Sequence, residues 1–170
     1  QVLIQTDPGI VQRLHATPGQ LTPLHVATIC GYADVVGFLL DAKADCDIVT
    51  VHNLTALHLA ASASPELVEL LLYAKADPSA LDADGDTPLI FACCYHQVQS
   101  VQLLLEAAPT LVNRANKWSV RAFHLSAAYA ELDTALHCGQ LLAERGGDPW
   151  GKDEGSEPAP SGGRALADVN

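Results

Sequence analysis

The side chains best suited to nucleophilic or metal chemistry in this 170-residue chain are seven histidines and five cysteines. Cys93 and Cys94 lie close to His96, a grouping from which a thiolate–imidazole metal site could be built. No second ligand pair follows at metal spacing, so zinc is not expected. The run D-A-D-G-D-T from Asp82 has the composition of a calcium loop, but a helix–loop–helix calcium site needs glutamate at its twelfth position. Counted from Asp82, that position is Cys93. Nucleophilic catalysis needs a serine or cysteine beside an oriented base. G-x-S-x-G does not occur, and the one G-x-x-x-x-G-K, from Gly146, is followed by Asp153 rather than the serine or threonine a phosphate loop needs. Cys94 is the thiol expected to be exposed, and nothing around it gives a reason for a lowered pKa. No catalytic, cofactor-binding or metal-binding residue is therefore assigned, and neither a cofactor nor a small-molecule substrate is expected.

Composition narrows the partners. Twenty acidic and nine basic residues leave a net charge of -11, which disfavours nucleic acid and anionic membrane surfaces. No run approaches the ~20 apolar residues that span a bilayer. Hydrophobic residues make up 49 % of the chain, enough for a packed core. Five cysteines, an odd number without C-x-x-C, suggest reduced thiols in an intracellular compartment: cytoplasm, nucleus or organelle matrix. The chain begins at Gln1 and has no methionine, as expected of a processed product or a piece of a longer polypeptide.

Three of the histidines lead from chemistry to organisation. His25 and His58 sit inside T-P-L-H-V-A from Thr22 and T-A-L-H-L-A from Thr55; T-P-L-I-F-A follows from Thr87 and an eroded R-A-F-H-L-S, with His124, from Arg121. The three threonines stand 33 and 32 residues apart, and Arg121 follows after 34. Second halves repeat as well: D-V-V-G-F-L-L from Asp34, P-E-L-V-E-L-L-L from Pro65 and V-Q-S-V-Q-L-L-L from Val98. Each period predicts two short helices. Threonine caps the first and proline fits its opening turn; valines and leucines at helical spacing make the second amphipathic. Polar turns such as L-D-A-D-G-D lie between periods. In the fourth copy the step from Leu104-Leu105 to Leu141-Leu142 is 37 residues. One added residue is placed near Pro109 and the others in a longer second helix.

This pattern resembles the ankyrin repeat, with its period near 33 and T-P-L-H-x-A signature. The chain departs from it at Asn53 and Ser119, which stand where the family has its turn glycine, and at Ile90, which replaces histidine. The resemblance implies an all-α solenoid of about four helix-turn-helix repeats with short hairpin fingers and partial end units. Residues 1–18 would be a partial N-terminal repeat, with a helix over Gly9–Ala16; residues 19–148 the repeats, divided near 19–51, 52–83, 84–117 and 118–148; and residues 149–170 an aborted fifth hairpin and a Gly/Pro/Ser-rich tail. In this family the signature histidine makes hydrogen bonds within and between repeats, which is the reading taken for His25, His58 and His124.

The resemblance further implies a protein-binding scaffold without catalysis, gripping its partner with the fingers and the concave face of the first helices. At those variable positions stand Val51, His52 and Leu54; Asp84 and Asp86; Lys117, Trp118 and Val120; and, on the first helices, Ile29, Cys94, Tyr95 and Tyr129. Tryptophan and tyrosine are over-represented among interface hot spots. Residues 41–106 hold ten acids and two bases, whereas Arg114, Lys117 and Arg121 cluster around Trp118. That finger suits a partner with an acidic patch and an apolar anchor. The alternative is a permanent structural subunit of a large multiprotein assembly; an enzyme or metal protein ranks below both.

Overall fold

A computed structural model describes residues 19–127 and 132–148. Among the described residues there are eight α-helices, and the caps of the first helix in each copy explain the signature. α1 (Pro23–Ile29) starts behind Thr22, whose Oγ1 accepts the His25 N–H at 3.3 Å while His25 Nδ1 accepts the Thr22 N–H at 3.1 Å. Histidine here returns the backbone bond that a glutamate makes in the usual capping box. The pattern recurs at α3 (Ala56–Ala63), where the Thr55 N–H reaches His58 Nδ1 at 3.2 Å. At α5 (Pro88–Cys94) the Thr87 hydroxyl caps alone, accepting the Ile90 N–H at 3.3 Å. At α7 (Ala122–Ser126) Arg121 occupies the cap position and its N–H donates to His124 Nδ1 at 3.0 Å.

The second helices are α2 (Ala33–Asp41), α4 (Pro65–Tyr73), α6 (Val98–Ala107) and α8 (Leu132–Glu144). Gly31 and His96 turn the chain into α2 and α6 with positive φ. The second copy is one residue shorter there, and extended Ser64 with Pro65 makes the turn instead. α1 packs on α3, α3 on α5 and α5 on α7, while α2, α4, α6 and α8 form a parallel row. Each helix pair leans only on its neighbours, which is the organisation of a solenoid.

The core lies between the rows. Leu24, Leu57 and Leu89 from the first helices and Val36, Leu39, Leu67, Leu71, Val101 and Leu104 from the second are buried. Burying one such side chain stabilises by about 1.5–3 kcal/mol. Ala27, Ala60 and Ala92 let the rows approach closely.

The fourth unit carries the added length on both sides of its finger. A 3-10 turn over Pro109–Asn113 buries Leu111 and Val112, and α8 has 13 residues against 9 in α2 and α4. The register is one residue off the leucine-pair count. Ala44 N–H bonds to Leu39 O, Ala76 N–H to Leu71 O and Gly147 N–H to Leu142 O. The buried slot thus belongs to Leu142, which is fully covered, and Leu141 is half-exposed. The expected helix over 9–16, and the hairpin and tail from 149 onward, lie outside the described residues.

Candidate interaction surface

The fingers are built by one side chain each. Asp82 Oδ1 accepts the N–H groups of Asp84 and Asp86 at 2.9 and 2.8 Å; Asn116 Oδ1 accepts those of Trp118 and Val120, both at 2.9 Å. Thr50 Oγ1 does the same, more loosely, for His52 and Leu54 at 3.3 and 3.2 Å. Backbone bonds close every tip: Thr50 to Leu54, Asp82 to Asp86 and Asn116 to Val120. The D-A-D-G-D run is accordingly a turn whose first carboxylate is engaged by its own backbone.

Two residues before each first-helix cap the backbone enters the left-handed region, at Gln20, Asn53, Gly85 and Ser119. Glycine adopts that conformation without steric cost; Asn53 and Ser119, the two departures from the family pattern, and Gln20 adopt it nonetheless. Neighbouring fingers join through Val51 N–H to Gly19 O, Ala83 N–H to His52 O and Lys117 N–H to Asp84 O. Asn116 Nδ2 adds a 2.7 Å bond to Asp86 Oδ1. The tips therefore form one hydrogen-bonded row.

On this row Trp118 is 73 % exposed, and Tyr95, Ile29 and Val51 are more than half exposed. His52, Asp84, Lys117 and Cys94 are exposed; Leu54, Asp86 and Val120 are half-buried. Tyr129 lies outside the described residues. Arg121 does not join the expected basic cluster. It occupies the slot that holds buried Thr22, Thr55 and Thr87 in the other copies, and is itself buried. The Lys117 ammonium bends back to donate to the Ala83 carbonyl of the neighbouring finger. Arg114 stays exposed. The charge near Trp118 is thus partly engaged within the stack.

The groups that could do chemistry are placed against it. Burial pushes the Cys93 thiol up, with Cys138 and Cys94 adding to the shift, and pushes Cys46 up to about 11. His25 and His58 are shifted down, mainly by burial, partly offset by backbone carbonyls of the next finger. Burial raises Asp86, opposed by the bond from Asn116. Among the described residues no three His, Cys, Asp or Glu side chains converge to hold a metal ion. None of the described helices is long and apolar enough to cross a membrane.

Sequence reasoning missed several exposed apolar side chains. Val26 faces out on α1, while Tyr32, Val35, Phe38 and Tyr73 are exposed on the side of the second helices. Tyr73 closes an otherwise amphipathic helix one position after the leucine pair, and that break in the polar face was the available signal.

A family model of ankyrin repeats (three copies) matches residues 1–82 and 57–153. The mouse B-cell lymphoma 3 protein homolog is 35 % identical over 135 residues, 75 % of this chain and 29 % of that protein. Human ankyrin repeat and SOCS box protein 16 is 36 % identical over 110 residues, covering 64 % of this chain and 24 % of its own length. Tyrosine-protein kinase HTK16 of Hydra vulgaris is 38 % identical over 108 residues, 61 % of this chain and 14 % of the kinase. The chain thus spans less than a third of these relatives.

Proposed function

Because this chain belongs to the ankyrin-repeat family, we propose that it is a non-catalytic scaffold that binds a partner protein through its fingers and the exposed ends of its first helices. The observation that carries this reading is Trp118: its indole is 73 % exposed while its backbone N–H is tied to Asn116 and that of Lys117 beside it to Asp84 of the neighbouring finger. A large aromatic surface presented on an immobile backbone binds without first being ordered. Tyr95, Ile29 and Val51 extend it along the row. Five unpaired thiols fit a reducing intracellular compartment.

Photo-crosslinking tests the surface. A benzophenone side chain at Tyr95 should trap the partner, and one at Leu136, exposed on α8, should not. Trp118→Ala should then weaken binding of the purified partner by about 2 kcal/mol or more, with stability held within about 0.5 kcal/mol. Equal affinity for both proteins removes Trp118 from the interface.

A permanent place in a large assembly is the second reading, favoured by the exposed apolar run of Val26, Ile29, Tyr32 and Val35 on the first helix pair. Obligate interfaces are more apolar than reversible ones. A monodisperse monomer by light scattering supports the reversible scaffold; self-association or precipitation supports the obligate subunit.

A further inference from the structure

Two positions before the buried leucine of each second helix, three copies carry a long polar side chain: Glu69, Gln102 and Gln140. The first copy carries Gly37, in the middle of α2. A Cβ added there would meet nothing within 4 Å. Neither packing nor an unusual backbone conformation requires the glycine, which lowers helix stability relative to alanine. What it provides is an open backbone surface.

That surface is the floor of a groove between α2 and α4. One lobe, of about 550 Å³, runs past Leu40, Lys43 and Tyr73; the other, of about 400 Å³, runs past Asp34, Phe38 and Glu66. The lobes share Gly37, Asp41 and Leu70. Tyr73 is 88 % exposed at one end and Phe38 is partly exposed at the other. Three carboxylates and one ammonium border this apolar floor.

We propose that the α2–α4 groove is a second docking surface, separate from the fingers, that takes a basic protein segment with an apolar anchor. The carboxylates of Asp34, Asp41 and Glu66 meet its lysines and arginines, and Leu70, Phe38 and Tyr73 receive the anchor beside Gly37. A second copy of this chain, with net charge -11, is a poor occupant. The segments 1–18 and 149–170 carry no excess of basic residues and fit no better.

The probe is a synthetic peptide of about twelve residues with leucine and arginine at helical spacing, titrated into the ¹⁵N-labelled 170-residue chain. Amide shifts should centre on Gly37, Asp41 and Leu70. Gly37→Gln places the third copy's side chain in the groove and should raise Kd by about tenfold or more, as should the pair Asp41→Asn with Glu66→Gln. Trp118→Ala should bind the peptide like the wild type, so that failure of this groove and failure of the finger surface are told apart. No saturation by about 1 mM peptide, shifts centred on the fingers, or equal Kd for wild type and Gly37→Gln would overturn the proposal.

Discussion

His58 Nε2 donates to the carbonyl oxygen of Asp86 across 3.1 Å. The bond ties the second copy's first helix to the third finger, and the ring's Nδ1 meanwhile accepts the Thr55 N–H at 3.2 Å. The two bonds select one tautomer. The ring is fully buried and meets Phe91 edge-on at 5.3 Å between centroids.

His58→Ala leaves a cavity and two backbone groups short of a partner. It should cost about 2–4 kcal/mol, read as a lower urea midpoint. A loss below about 0.5 kcal/mol would show that this link does not hold the stack together.

The same burial makes stability depend on pH. His25 and His58 ionise below the ordinary histidine value of 6.5 because burial disfavours the cation. The unfolded chain therefore takes up protons that the folded chain refuses. Their contribution is complete above that value and is lost as pH falls through it toward the depressed folded values. The melting temperature should drop between about pH 7.5 and pH 5.5, and the drop should be smaller in His58→Gln. An equal drop in both proteins assigns the effect elsewhere.

The left-handed slots predict two substitutions of opposite sign. Gly85 has φ 82, and an added Cβ would meet the Lys117 backbone nitrogen at 3.3 Å. Gly85→Ala should destabilise by about 1–3 kcal/mol. Ser119 holds the equivalent slot at φ 59 without that freedom, and Ser119→Gly should gain about 0.5–1 kcal/mol. Thermal melts that rank the two the other way would contradict the shared geometry.

Thiol labelling reads the surface directly. Cys30 and Cys94 are exposed, while Cys46, Cys93 and Cys138 are buried. Brief treatment of the native protein with iodoacetamide should modify Cys30 and Cys94 first, the buried thiols reacting only in denaturant. Early modification of Cys93 in a peptide map would contradict the packing of α5.

The repeat period, the threonine caps and the faces of the second helices were legible in the residues alone. Each depends on neighbours three or four positions away, within one turn of helix. The turn slots of Asn53 and Ser119 were legible for the same reason, since a finger is closed by its own backbone. Other features depend on residues about thirty positions off, brought close only by stacking. Arg121 is buried because its slot is buried in every copy, although its charge advertised a surface residue. Lys117 is turned toward Ala83 of the neighbouring finger. The openness above Gly37 exists only where α2 and α4 lie side by side. Local periodicity determined the elements and their buried sides; the contacts between copies decided which outward side chains stay free, because a surface is what remains after the neighbours have packed.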